Sequence, residues 1–182
     1  MSRISDREAA VLGLLYESPM YGYEIEKIIK ERGMRNWTEI GFSSIYYVLN
    51  RLAKDGLVES EIEEVEGKPS RRVYTVTVEG RVVILGKVKE LLSENKKLIS
   101  PFDLGMSYLT FLSPEEILEC LGLYLDGLKK RLTFLEEGLL KVEESGESYN
   151  IVALFTRPLA HLRVEKSWVE EFIETVKNNG GC

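Results

Sequence analysis

The 182-residue chain is 44% hydrophobic and 30% charged, a balance that describes a folded globular protein rather than a disordered one. No apolar run reaches the roughly 18–20 residues that a bilayer span needs, and the charged start MSRISDREAAVL lacks the apolar stretch of an export signal. The net charge of −6 repels phosphate on average, so any nucleic-acid partner has to be met by local clusters.

Cys120 and Cys182 show no metal-ligand spacing, and two free thiols suit a reducing cytoplasm. No metal and no cofactor are expected, and the location expected is cytoplasmic.

In chain order, Ile4, Ala9, Val11, Leu12, Leu14 and Leu15 suit a short, mostly buried helix over 4–16, capped by Ser5 or Asp6. Ser18-Pro19 opens a turn. In YGYEIEKIIKERG, Tyr21, Ile25, Ile28 and Ile29 form a helical stripe that Gly33 stops. A third helix follows in GFSSIYYVLNRLAKDGLV, with Ser43 or Ser44 as its cap and Gly56 just past its end.

The rhythm then shortens. Residues 57–65 and 72–78 alternate at period two and are rich in Val and Thr, with EGKPS between them as a loop. Three helices and a hairpin within about 80 residues predict a winged helix-turn-helix.

Beyond Gly80 the pattern is helical throughout. One helix is expected over 81–99, and SPFDLGMSYLTFLSP breaks it with two prolines. Phe102, Tyr108 and Phe111 in that linker either line a pocket or pin the segment down. Leu118, Leu121, Leu125, Leu128, Leu132, Leu135, Leu139 and Val142 then recur at alternating steps of three and four, a coiled-coil seam running for roughly 36 Å. EESGESY is the turn, and a last helix carries Val152, Phe155, Leu159, Leu162, Val169, Ile173 and Val176. Pro158 either kinks that helix or begins a new one. One-sided seams of this length predict a second copy as partner, with Leu118, Leu121, Leu125, Leu128, Leu132, Leu135, Leu162 and Val169 at a homodimer interface. The expected divisions are 1–82 for the winged helix, 83–112 for a connector, and 113–182 for antiparallel dimerisation helices.

At 100° per residue, Ile45, Val48, Leu49 and Leu52 bury one face of the third helix. The opposite face carries Ser43, Tyr47, Asn50, Arg51 and Lys54, with Tyr46 at its edge. A polar outer face is ordinarily only solvated. Asn and Arg, however, make two-pronged hydrogen bonds to purine edges, and hydroxyls at a helix start reach phosphates. The third helix of such a triplet is also where a helix-turn-helix reads DNA. On this reading Tyr47 and Asn50 meet bases or nearby sugar, while Ser44, Tyr46 and Arg51 hold phosphates. In the hairpin loop, Lys68, Arg71 and Arg72 either balance Glu63, Glu64 and Glu66 or place a wing along the backbone.

Taken together these residues resemble the PadR family of bacterial and archaeal transcriptional regulators. Its helix-two signature matches Tyr21, Gly22, Tyr23 and Glu24. Its reading-helix pattern matches Tyr46, Leu49, Arg51, Leu52, Gly56 and Leu57, and its wing pattern matches Arg71, Arg72, Tyr74, Thr77 and Gly80. The resemblance implies a dimeric, repressor-type protein on double-stranded DNA, released by small aromatic or drug-like compounds. Trp168 looks like the aromatic that stacks on such an effector, with Phe172 beside it; the other reading of Trp168 is core or interface packing.

Two other classes compete. For an enzyme, His161 lacks a nucleophile at catalytic spacing and no phosphate loop or carboxylate pair stands out. A winged-helix adaptor that binds protein through its coiled coil is kept open by charge. Up to Val82 the chain has 12 basic and 14 acidic residues, against 12 and 16 beyond it.

Overall fold

The computed structural model describes residues 4–41, 44–64, 70–95, 97 and 99–179. They form two compact units, 1–97 and 98–182, mainly helical, as the period of the sequence predicts.

In the first unit, helix α1 (Asp6–Glu17) starts on Ser5, whose hydroxyl accepts from the Glu8 amide while the Glu8 carboxylate accepts from the Ser5 backbone. This reciprocal pair satisfies two of the amides that a helix start leaves open. Pro19 is followed by a two-residue strand, β1 (Met20–Tyr21), so Tyr21 pairs in the sheet where the sequence pattern placed it on the second helix. Helix α2 (Gly22–Glu31) ends before Gly33, whose φ of 58° only glycine adopts without strain. Helix α3 (Ile45–Lys54) ends before Gly56, at φ 72°. Strands β2 (Val58–Glu63) and β3 (Arg71–Val76) pair antiparallel, and β1 adds to the other side of β3, giving the order β1-β3-β2. The loop EGKP and Val65 lie outside the described residues.

Helix α4 (Val78–Ser93) begins three residues earlier than the sequence pattern suggests and runs through position 82. Its start is fixed by Thr77, whose hydroxyl donates to the Gly56 carbonyl at 2.8 Å and accepts from the Gly80 amide at 3.0 Å. Gly80 has no alternative there, because a Cβ would lie 2.1 Å from the Leu57 carbonyl oxygen. One core closes the unit, built around Leu12, Leu15, Ile25, Ile29, Leu49 and Leu52.

The second unit contains α5 (Pro101–Met106), a 3₁₀ turn at Leu109–Phe111, and two 31-residue helices, α6 (Pro114–Glu144) and α7 (Tyr149–Asn179). A Ser113–Glu116 capping box starts α6. Helix α7 passes through Pro158 without a new start, although that residue supplies no amide hydrogen to the ladder. The two long helices pack on each other within one chain, and a Cβ at Gly138 would come within 2.4 Å of the Phe155 ring.

That packing places part of the expected dimer seam between α6 and α7 of one chain. Leu121, Leu128, Leu132 and Val169 are buried inside the single chain, while Leu118, Leu125, Leu135 and Leu162 are half-buried. A heptad seam needs a facing helix, and α7 provides one from the same chain. The large apolar side chains left outside are others, among them Leu123, Phe134, Leu140 and Val164.

Candidate nucleic-acid interface

Helix α3 buries Ile45, Val48, Leu49 and Leu52, which turns Tyr46, Tyr47, Asn50, Arg51 and Lys54 outward. Tyr47, Asn50 and Lys54 fall at i, i+3 and i+7, one stripe along the helix. Tyr47 is 67% exposed, and among the described residues none of these three side chains is engaged with the rest of the chain. Ser43 lies outside the described residues.

Three neighbours behave differently from the sequence expectation. Ser44 precedes α3 but does not cap it through its side chain; its hydroxyl donates back to the Gly41 carbonyl at 2.7 Å. Tyr46, though exposed, rests against Gly22, where a Cβ would sit 2.7 Å from the ring. Arg51 is engaged within the chain. Its Nε lies 2.8 Å from the Glu8 carboxylate, whose side chain is 4% exposed. A buried carboxylate holds its cation strongly because leaving it alone would strand a charge away from water.

At the wing, Arg71 opposes Glu63 in register and Arg72 opposes Ile62. Arg72 is exposed. The Arg71 guanidinium lies over the rings of Tyr21 and Tyr23, 5.8 and 5.6 Å from their centroids, and donates to the Tyr23 hydroxyl at 3.2 Å. The Glu63 carboxylate instead accepts the Tyr21 hydroxyl, a bond that raises the Tyr21 pKa. Tyr21 and Tyr23 escaped the sequence reading as interface residues; only their place in the helix-two signature marked them. Lys68 lies outside the described residues.

The net charge is unevenly distributed: residues 1–97 carry 16 basic and 16 acidic side chains, against 8 and 14 beyond them, so the excess of six lies in the second unit. In the first unit Arg7, Arg32, Arg35 and Arg51 sit against Glu39, Glu17, Glu26 and Glu8. Lys87, nearly buried, sits between Asp6 and Glu90. Among the described residues Lys54, Arg71 and Arg72 are in none of these ion pairs.

In the second unit Trp168 stacks on Phe172 at 5.1 Å, and Phe102 meets Trp168 edge-on and stacks on Tyr124 at 4.3 Å. The Tyr124 hydroxyl donates to Glu165 at 3.0 Å, and burial followed by that bond pushes its pKa up. An apolar cleft of about 260 Å³ opens between α5, the 3₁₀ turn and α6, lined by Phe102, Met106, Leu109, Leu112, Cys120 and Tyr124. Tyr108 stacks on Phe111 at 5.2 Å. Among the described residues no group of three or more His, Cys, Asp or Glu side chains is arranged to hold a metal ion, and no helix is long and apolar enough to cross a membrane.

Three helices, a short three-stranded sheet with a wing, and an outward polar stripe on the third helix define a winged helix-turn-helix DNA-binding module. Residues 11–85 match the model of the transcriptional regulator PadR-like family. The chain belongs to that family, whose members are DNA-binding transcriptional regulators rather than enzymes. Among solved structures it resembles Bacillus subtilis PadR in complex with operator DNA, at 22% identity and a TM-score of 0.74, over 93% of this chain and 98% of that one. The same protein in complex with p-coumaric acid gives equal values. The PadR-like regulator BC1756 from Bacillus cereus matches at 20% identity and a TM-score of 0.69, over 96% and 99% of the two chains. An uncharacterized protein from Lysinibacillus sphaericus is 31% identical over 99 residues, which are 54% of this chain and 89% of that protein.

Proposed function

We propose that this regulator is cytoplasmic and represses transcription as a homodimer bound to a pseudo-palindromic operator. The observation that carries this is the stripe Tyr47, Asn50 and Lys54 on α3, unengaged among the described residues, beside a wing whose Arg71 and Arg72 make no ion pair with a described carboxylate. Tyr47 and Asn50 read base edges in the major groove, with Asn50 suited to a two-pronged bond to adenine. Lys54, Arg71 and Arg72 hold phosphates, as does Tyr46 near the helix start. Two such helices in a dimer stand about 34–36 Å apart to reach successive major grooves.

Dimerisation draws on the outward apolar side chains of the helical hairpin, Leu123 and Phe134 among them, rather than on the buried seam. An effector completes the reading. Bacillus subtilis PadR has been solved with p-coumaric acid, and the rings of Phe102, Tyr124, Trp168 and Phe172 with the adjoining cleft support a small aromatic compound here.

The test is fluorescence anisotropy of the full-length protein on its own upstream DNA, with scrambled competitor and the Arg71→Ala/Arg72→Ala variant alongside. Selective binding that the variant loses supports the reading. A protein that selects no DNA, even from genomic fragments, sinks it and favours the adaptor that binds protein.

A further inference from the structure

Most described arginines of the first unit are held in one of two ways. Arg7, Arg32, Arg35 and Arg51 are each held by a glutamate at 2.8–3.4 Å. Arg71 has a glutamate directly across the β2/β3 ladder, Glu63, and among the described residues makes no ion pair with it. Two tyrosines take its place. Tyr21 and Tyr23 stack with ring planes 8° apart and centroids 5.5 Å apart, and the guanidinium lies over both.

The local chain explains the arrangement. Tyr21 is anchored by pairing with Val73 in β3, and its amide donates to Glu24 at 2.9 Å. Tyr23 follows in the first turn of α2. Both rings are thereby brought beside the first residue of β3. The Tyr21 hydroxyl also draws the Glu63 carboxylate to itself.

The physical difference between the two holds is net charge. A carboxylate fixes a guanidinium and cancels it. An aromatic face fixes it through the ring quadrupole and leaves the full positive charge in place. Phosphate recognition needs the second kind of hold, because a cation already neutralised releases few counterions from DNA.

We propose that Tyr21 and Tyr23 are positioning residues that hold Arg71, still charged, at the root of the wing for a DNA phosphate, and that Tyr21 additionally keeps Glu63 from neutralising it. This rests on the DNA-binding reading above.

The experiment uses full-length protein and a labelled mixed-sequence DNA duplex, titrated at several salt concentrations. Arg71→Ala should bind roughly tenfold more weakly and lower the salt slope by about one. Tyr23→Leu should bind about three- to tenfold more weakly with a reduced slope, and Tyr23→Phe, which keeps the ring, should fall between it and the wild type. In the Arg71→Ala background both Tyr23 effects should vanish. Tyr21→Phe frees Glu63 and should weaken binding, while adding Glu63→Gln should restore more affinity in that background than in the wild type.

A Tyr23→Leu penalty that persists without Arg71, or a Tyr21→Phe protein that binds as the wild type does, overturns the proposal. Failure of the underlying reading has a different signature. The wild type would then ignore the duplex at low salt, or Arg71→Ala would bind unchanged, and the positioning role would fall with it.

Discussion

The Nε of Arg51, on the outward side of α3, lies 2.8 Å from the carboxylate of Glu8, which is all but buried in α1. The other oxygen of that carboxylate accepts the Ser5 amide at 2.7 Å and the Ser5 hydroxyl at 2.8 Å. One side chain thus caps the start of the first helix and ties the third helix to it. Arg51→Ala should therefore destabilise the protein by about 1–3 kcal/mol, discounted from the cost of breaking a fully buried pair because Arg51 itself is half exposed. Urea unfolding measures it. A variant as stable as the wild type would return Arg51 to the DNA.

Asn50 should behave in the opposite way. With its side chain in solvent, Asn50→Ala should leave stability within about 0.5 kcal/mol and cost roughly 1–3 kcal/mol of operator binding, relaxing selectivity at one position. Competition with single-base operator variants checks this. Equal weakening on every sequence would move Asn50 from base edge to backbone.

The hairpin of α6 and α7 separates two roles that the heptad pattern merges. Leu128→Asp places a charge inside one chain and should cost helical content and thermal stability. Phe134→Asp, outside the packed seam, should keep the circular dichroism of the wild type and shift sedimentation towards monomer. A monomeric but fully helical Leu128→Asp protein would restore the seam to the dimer.

The Lys87 ammonium is flanked by Glu90 and Asp6, and the Glu90 hydrogen bond above all raises its pKa. A lysine whose folded value exceeds its unfolded one stabilises fully below the unfolded value and loses that contribution as pH climbs through the folded one. The stability gap between wild type and Lys87→Met should accordingly be constant through neutral pH and close only above about pH 10.5. A gap that closed near pH 8 would mean that Lys87 is not the group responsible.

Much of this was legible because local chemistry decides it. Ser5 announces a helix start, Gly33 and Gly56 announce stops, and the period-two run marks the wing. The seam was legible as buried surface but not as to its owner, since heptads specify a facing helix and not the chain that supplies it. Strand β1 is two residues long, too short for periodicity to register. Arg51 looked free on a helical wheel because Glu8 stands 43 positions away in sequence, and a wheel contains only its own helix. Net charge misled for a related reason: a sum over the chain says nothing of which unit carries the excess, and residues 1–97 balance at 16 basic and 16 acidic side chains.

Thr77 joins three elements through one residue. Its hydroxyl bonds the carbonyl of Gly56 beyond α3 and the amide of Gly80 in α4, and its own amide donates to Leu57 beside β2. In hydrogen exchange such a knot has one opening event rather than three. The end of the reading helix, the return of the wing and the start of α4 then fray together or not at all, so DNA that immobilises the wing also slows exchange at an amide it never touches, that of Gly80.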